Sequence, residues 1–332
     1  MIPRQCAVCS SRSRLQRCAG CQVVYYCGRD HQTSCWATHK RACTKVKKSR
    51  ENYLKEEAKI RNAEEFGWGW TWESAQGHFW GIVETRDYMR ARYNYCDIML
   101  EVDTVDAVEK SVEHHFEMLK LCRSDNMGIR DVTPHLLLRL GRDQDTYDFT
   151  KWWATTGSES DYDWGDVSLP HLHLKGENVL EAVDVKQFSS LSHSVATALL
   201  KIRLFMDLRD VRNADHALGV ALPREIVDMI KNRVPRTDVV AARRDLLKDT
   251  AGTVPLMRDL QKQIRKLVVS VAEHNKYMWT HILNPASFGQ AMNSPYSMGS
   301  HEEALLVLNY CYPAWAETPG SVEVVKRAGR RT

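Results

Sequence analysis

The sequence has no hydrophobic run long enough to cross a bilayer. A transmembrane helix needs about 20 predominantly apolar residues, and charged residues, 27% of the 332-residue chain, interrupt every candidate stretch. The first residues, MIPRQCAVCSS, also lack the apolar segment of a secretory signal. We therefore expect an intracellular protein, in the cytoplasm, the nucleus or both, with no membrane partner and with its cysteine thiols kept reduced.

The motifs of several common catalytic sites are also absent. The sequence contains no Gly-x4-Gly-Lys-Ser/Thr phosphate loop, no Gly-x-Gly-x2-Gly fingerprint, no Gly-x-Ser-x-Gly nucleophile turn and no His-Glu-x2-His motif. We therefore expect a protein that is not an enzyme, with no catalytic residues to assign.

Acidic residues are nearly absent from the first 50 positions. Residues 1–50 hold eleven Lys or Arg and a single acid, Asp30, for a net charge of +10, whereas the rest of the chain carries −6. Seven of the ten cysteines lie before residue 44. These asymmetries divide the chain into a small basic head, residues 1–50, and a larger body, residues 51–332.

The head carries four closely spaced pairs of cysteine and histidine. In a reducing compartment such pairs are typical of metal ligands rather than of disulfides. A two-residue gap lets both thiolates of a turn reach one ion, and a three-residue gap does the same from successive turns of a helix. Eight ligands predict two closed, structural zinc sites. The pairs are Cys6-x2-Cys9, Cys18-x2-Cys21, Cys27-x3-His31 and His39-x3-Cys43.

The spacing and the residues around the last four ligands resemble a MYND-type zinc finger. The resemblance covers residues 6–43 and includes the Tyr25-Tyr26-Cys27 approach, Gln32 and Trp36. It implies two zinc ions held by interleaved ligand pairs. One ion would be held by Cys6, Cys9, Cys27 and His31, and the other by Cys18, Cys21, His39 and Cys43.

One ligand of the first site, His31, has an alternative in the sequence. The family usually has Cys at the position of His31, although imidazole is also a good zinc ligand. Cys35 lies four residues from both His31 and His39, so it is an alternative ligand on the same helical face. We favour His31 because it directly precedes Gln32, as the family's ligand does.

The resemblance also implies a function in protein binding. MYND fingers, which this segment resembles, typically have a shallow groove that binds short proline-rich peptides of the Pro-x-Leu-x-Pro type. The groove residues correspond here to Gln32 and Trp36. An indole offers proline a flat apolar wall, and an amide side chain can bond the peptide backbone. The alternative for Trp36 is a core tryptophan that holds the helix to the zinc loops.

Residues 51–332 are predicted to be mainly helical. Apolar residues recur at helical spacing through most of this range. The turn at residues 138–147 is similar to that of a tetratricopeptide-type repeat, although no clean 34-residue period exists. We therefore expect an all-helical, tetratricopeptide-like, solenoid-like body, interrupted by an acidic loop at about 157–191. The layout resembles that of fungal-type proteins with an N-terminal MYND finger and a helical remainder.

Indoles alternate in the segment Trp68-Gly69-Trp70-Thr71-Trp72. This segment is too rich in aromatic residues and glycine for an ordinary helix. We expect its side chains to be packed on the body, because large aromatic residues are usually buried. An exposed aromatic patch would instead indicate a second binding surface.

The leading interpretation is a zinc-binding adaptor for protein–protein interaction. One alternative is a nucleic-acid-associated regulator that uses the basic head; its run at residues 40–50 also has the composition of a nuclear-import patch. No base-reading helix of the kind found in DNA-binding fingers is apparent. A second alternative is a relative of the methyltransferases that combine MYND and SET segments. We disfavour it because the finger starts at residue 6 and no SET motif is visible.

Overall fold

The computed structural model describes residues 1–184, 188, 190–219, 221–287 and 295–329. Its contacts divide the chain into two compact units. Unit 1 comprises residues 1–136 and 163–171, and unit 2 comprises residues 137–162 and 172–332. The described residues form two short β-strands and thirteen α-helices, which confirms the mainly helical prediction. Within the part of the chain described, no helix is both long and apolar enough to cross a membrane.

The N-terminal part of unit 1 combines a small hairpin with a long helix. Strands β1 (Gln16–Arg17) and β2 (Tyr25–Tyr26) pair antiparallel. Helix α1 (Arg29–Arg61) follows β2 directly. The domain boundary expected after residue 50 lies inside this helix. Buried residues such as Val46, Ser49 and Ile60 extend the buried face of α1 beyond the Cys/His-rich part. The finger and the charged segment after it therefore share one continuous helix.

Three further helices complete unit 1 or begin in it, namely α2 (Arg86–Leu100), α3 (Val105–Leu121) and α4 (Ile129–Arg139). Helix α2 packs between α1 and α3. Two 3₁₀ turns, Phe79–Gly81 and Val83–Thr85, precede α2. Helix α4 is preceded by Asp125, whose carboxylate accepts hydrogen bonds from the backbone N–H groups of Ile129 and Arg130. This carboxylate satisfies N–H groups that have no partner within the helix.

The indole segment before α2 is only partly packed. Trp72 stacks under the Arg61 guanidinium, 3.7 Å from the ring centre, and meets Phe79 edge-on. Trp68 is 98% exposed, so the expectation of burial is wrong for this residue. Backbone hydrogen bonds in both directions between Phe66 and Trp70 close a tight turn, and Trp68 lies at its tip.

Unit 2 is organised around one buried helix. It contains α5 (Asp143–Ala154), α6 (Leu191–Leu218), α7 (Arg224–Lys231), α8 (Asp238–Ala242), α9 (Arg244–Lys248), α10 (Thr253–His274), α11 (Met278–Leu283), α12 (His301–Ala316) and α13 (Ser321–Gly329). Helix α6 is buried on all sides over most of its length and packs against α5, α7, α8, α10, α12 and α13. This arrangement differs from a row of stacked hairpins, in which each helix mainly contacts its neighbours in sequence.

Acidic residues of the segment before α6 stabilise local turns. After the 3₁₀ turn Thr156–Ser158, the described residues up to α6 form turns, bends and irregular backbone. The Asp163 carboxylate accepts from the Gly165 N–H at 2.8 Å, and the Asp166 carboxylate accepts from the Ser168 N–H at 2.9 Å. These bonds account for two of the acids that the sequence places in the loop.

Candidate zinc centres of the N-terminal finger

Four residues from three parts of the finger form the first Cys/His cluster. Cys6 and Cys9 lie in the turn before β1, Cys27 follows β2, and His31 lies in the first turn of α1. Their ligand atoms all lie within 4.8 Å of one another. The turn is closed by a hydrogen bond from the Ser10 N–H to the Cys6 carbonyl, 3.0 Å long. The resulting cluster contains three thiols and one imidazole.

The distances in this cluster match the edges of a zinc tetrahedron. Zinc bonds of about 2.3 Å to sulfur and 2.0 Å to nitrogen require S–S edges of about 3.8 Å and S–N edges of about 3.5 Å. The Cys9 and Cys27 sulfurs are 3.6 Å apart. His31 Nδ1 lies 3.5 Å from Cys6 Sγ and 3.0 Å from Cys27 Sγ, the second edge being shorter than the ideal. The four side chains fit one zinc ion.

The second cluster lies deeper in the finger. Cys18 and Cys21 come from the turn between β1 and β2, and His39 and Cys43 lie one helical turn apart on α1. All four residues are buried. The Cys18 and Cys43 sulfurs are 3.7 Å apart, and His39 Nε2 lies 3.5 Å from Cys21 Sγ. The two clusters thus fit two zinc ions, as predicted, and they group the eight residues in the interleaved order that the resemblance implied.

Backbone N–H groups favour the thiolate of the first cysteine in each Cys-x2-Cys turn. Burial raises the pKa of the Cys6 thiol, but N–H groups of Cys9, Val8 and Cys27 directed at its sulfur outweigh that effect and lower the pKa to about 6. Cys18 follows the same pattern, because N–H groups in its turn outweigh burial and lower its pKa. Since zinc binds the thiolate form, these N–H groups favour metal binding at Cys6 and Cys18, whereas burial raises the pKa of Cys21.

Gly20 is required by close approach in the second cluster. A Cβ atom at this position would lie 2.5 Å from Cys43 Sγ. That is far inside van der Waals contact, so any larger residue must displace the sulfur. The sequence places this glycine between Cys18 and Cys21, but only the packing of α1 against the turn shows why it is needed.

The remaining predicted residues lie on α1 beside the clusters. Cys35 belongs to neither cluster; its sulfur contacts Thr38 Oγ1 at 3.8 Å. Gln32 directs its amide nitrogen at Cys18 Sγ, 3.9 Å away. Trp36 is 43% exposed, and its ring meets His39 edge-on with the ring centres 6.2 Å apart. Gln32 and Trp36 are therefore on the same side of α1, and the indole is accessible to a partner.

Side chains of α3 and its cap fasten the finger to the rest of unit 1. Thr104 Oγ1 donates to the Val23 carbonyl at 2.7 Å, and Lys110 Nζ donates to the Gln22 carbonyl at 3.0 Å. The buried Asp106 carboxylate pairs with Arg4 at 2.5 Å. Sequence reasoning missed these contacts. The only local signal is that Thr104 also caps α3 by accepting from the Ala107 N–H.

The finger and the following helices share one apolar core. Val23, Val24 and Tyr26 of the finger and Val46 of α1 are buried in the same cluster as side chains of α2 and α3. The members contributed by those two helices are Tyr95, Cys96, Met99 and Ala107. The finger is thus packed on a helical support through apolar contacts as well as hydrogen bonds.

Two of the bases in the run at residues 40–50 are paired with acids. Lys45 forms an ion pair with Glu101 of α2 at 2.8 Å, and Lys47 lies 3.7 Å from Glu51 on the same helix. Nucleic-acid affinity depends on the number of phosphates that free bases can neutralise. The pairing lowers the effective charge of this run.

Comparison with known proteins identifies the finger. A family model described as "MYND finger" matches residues 6–43. The Rho GTPase-activating protein gacZ of Dictyostelium discoideum is 46% identical over 39 residues, which is 12% of this chain and 4% of that protein. No solved structure matches the chain. Residues 6–43 therefore form a MYND-type zinc finger, a zinc-binding module for protein interaction, within an otherwise helical chain.

Proposed function

We propose that this protein is a non-enzymatic adaptor whose finger binds a short proline-rich segment of a partner protein. The observation that carries the proposal is the exposed indole of Trp36, on α1 beside the second zinc cluster. A tryptophan that only held the finger together would be buried, as Trp152 is in α5. An indole left in solvent on a rigid helix is typical of a recognition residue.

The neighbouring groups suit an extended peptide. Gln32 lies one turn before Trp36, and its carboxamide can offer a carbonyl oxygen and a second N–H to a peptide backbone. Its contact with Cys18 Sγ holds the side chain in place, so less conformational entropy is lost on binding. Proline packs against the flat face of the indole, and a proline-rich strand is already extended in solution.

The test is direct binding of fluorescently labelled Pro-x-Leu-x-Pro peptides to the full chain, measured by anisotropy. Trp36→Ala is compared with Trp68→Ala, which removes an indole that is 98% exposed elsewhere in unit 1. A central recognition tryptophan contributes about 2 kcal/mol or more, so Trp36→Ala should weaken binding about 30-fold. Trp68→Ala should bind like the wild type. Both variants must retain two zinc ions per chain.

Two outcomes would reject this proposal. One is the absence of binding of any such peptide by the zinc-loaded wild type. The other is binding that Trp36→Ala and Trp68→Ala leave equally unchanged, which would make the indole irrelevant to recognition. Binding of S-adenosylmethionine by the full chain would argue against the non-enzymatic part. Steeply salt-dependent binding to DNA or RNA would favour the nucleic-acid alternative.

A further inference from the structure

A cavity of about 330 Å³ lies in unit 2 among α6, α10 and α13. Its apolar wall includes Phe205 from α6, Ile264 from α10, and Val324 and Ala328 from α13. Three of these four are buried, and Val324 is partly so. Small-molecule sites are typically concave, mostly apolar and at least about 300 Å³ in volume. This cavity lies at the lower end of that range.

Each of the three helices also contributes an arginine to the cavity. They are Arg209 of α6, Arg265 of α10 and Arg327 of α13. The three guanidinium groups carry like charges on the lining of one cavity, so they repel one another. An anion placed among them would relieve that repulsion.

Only one of the three arginines has a carboxylate partner among the residues described. Arg209 bonds the adjacent Asp210 through Nε at 2.9 Å and through a terminal nitrogen at 2.8 Å. In the described part of the chain, neither Arg265 nor Arg327 forms an ion pair with a carboxylate. Among the described residues, Arg265 and Arg327 are therefore the two arginines of the lining that have no carboxylate partner.

We propose that this cavity binds a small amphiphilic organic anion, namely a carboxylate or phosphate monoester attached to a compact apolar group. The planar guanidinium bonds both oxygens of a carboxylate or phosphate at once. The anionic group lies at Arg265 and Arg327, and the apolar group packs against Phe205 and Ile264. Inorganic phosphate would contact only the arginines, which form the anionic half of the site. A neutral aromatic molecule would contact only the apolar wall, which forms the apolar half.

Isothermal titration of the full chain with four probes tests both halves. The probes are 1-naphthyl phosphate, 2-naphthoate, 2-naphthol and inorganic phosphate. Arg265→Met and Arg327→Met keep an unbranched side chain and remove the charge. Val324→Phe narrows the cavity and keeps it apolar. Arg258→Met, an exposed arginine on α10 outside the cavity lining, is the matched control.

The expected result is that at least one of the naphthyl anions binds at least tenfold more tightly than 2-naphthol and inorganic phosphate. Arg265→Met, Arg327→Met and Val324→Phe should each weaken that binding at least tenfold, and Arg258→Met should not. If inorganic phosphate binds as tightly as the naphthyl anions, the apolar wall does not contribute to binding, and that part of the proposal is wrong. If 2-naphthol binds as tightly as the naphthyl anions, the arginines do not contribute to binding, and that part of the proposal is wrong. No binding of either naphthyl anion at millimolar concentration, by a chain with wild-type circular dichroism, would overturn the whole proposal.

Discussion

Removal of zinc should unfold the finger and also destabilise α2 and α3, because finger residues share a core with these two helices. Val23, Val24 and Tyr26 are almost fully buried, and they lie in one apolar cluster with Tyr95 and Met99 of α2. The perturbation is an excess of a zinc chelator, or the ligand variant Cys21→Ser. Cys35→Ser is the matched control, since Cys35 belongs to neither cluster.

The stability that α2 and α3 lose can be calculated from the contacts they make with the finger. Structural zinc contributes about 10–16 kcal/mol per site, as much as the whole stability of a typical domain, so the finger unfolds without it. If Tyr95 and Met99 then lose about half of their burial, the cost to α2 is about 1.5–3 kcal/mol. Loss of the hydrogen bonds from Thr104 and Lys110 adds about 1 kcal/mol each. The total is about 4 kcal/mol.

Hydrogen–deuterium exchange read by mass spectrometry measures this cost. A loss of about 4 kcal/mol lowers amide protection roughly 10³-fold, since 1.4 kcal/mol is a factor of about ten. Peptides from Arg86–Leu100 and Val105–Leu121 should show that loss with chelator or Cys21→Ser. Cys35→Ser should show none, and peptides from α6 and α10 should keep their protection throughout. If zinc leaves and the finger exchanges while α2 and α3 keep wild-type protection, the shared core carries no energetic coupling. The boundary after residue 50 would then describe the folding units.

Two further predictions concern single residues. Gly20→Ala should reduce the zinc content from two ions toward one, measured by elemental analysis, because its Cβ would lie 2.5 Å from Cys43 Sγ; full retention of both ions would contradict this. Burial lowers the pKa of Lys201 from 10.5 to about 7, against the opposing effect of Glu181. Between those two values the unfolded chain binds more protons than the folded one, so this group's contribution to stability should rise from about pH 7 to about pH 10. Urea titrations of wild type and Lys201→Met across that range should show a flatter pH dependence for the variant, and parallel curves would contradict the assignment.

The zinc centres were predictable because the information is local. Zinc requires four nitrogen or sulfur ligands, and a Cys-x2-Cys turn or a pair four apart on a helix brings two ligands together whatever the rest of the chain does. The order of pairing came from resemblance to the MYND family. The accessibility of Trp36 could not be read from its position, because one face of a helix is buried or exposed according to what packs on it.

The packing of the helical body, by contrast, could not be predicted from local sequence. Helical periodicity predicts that helices form, since apolar residues three and four apart share a face. It does not say which helix becomes the centre of unit 2. Helix α6 takes that place because nearly every side of it is met by another helix, a fact about long-range contacts. The same holds for Trp68, whose exposure is set by a tight turn rather than by its hydrophobicity.

The sequence by itself determined the mainly helical class, the two zinc ions and the identity of the finger, because each depends on residue type and short spacing. The tertiary structure alone decided that the finger is packed on α2 and α3 through a shared core and through Thr104 and Lys110. It also brought three arginines from separate helices to one cavity. These arrangements join residues tens of positions apart, and such residues meet only when burial of the apolar faces fixes how the helices pack.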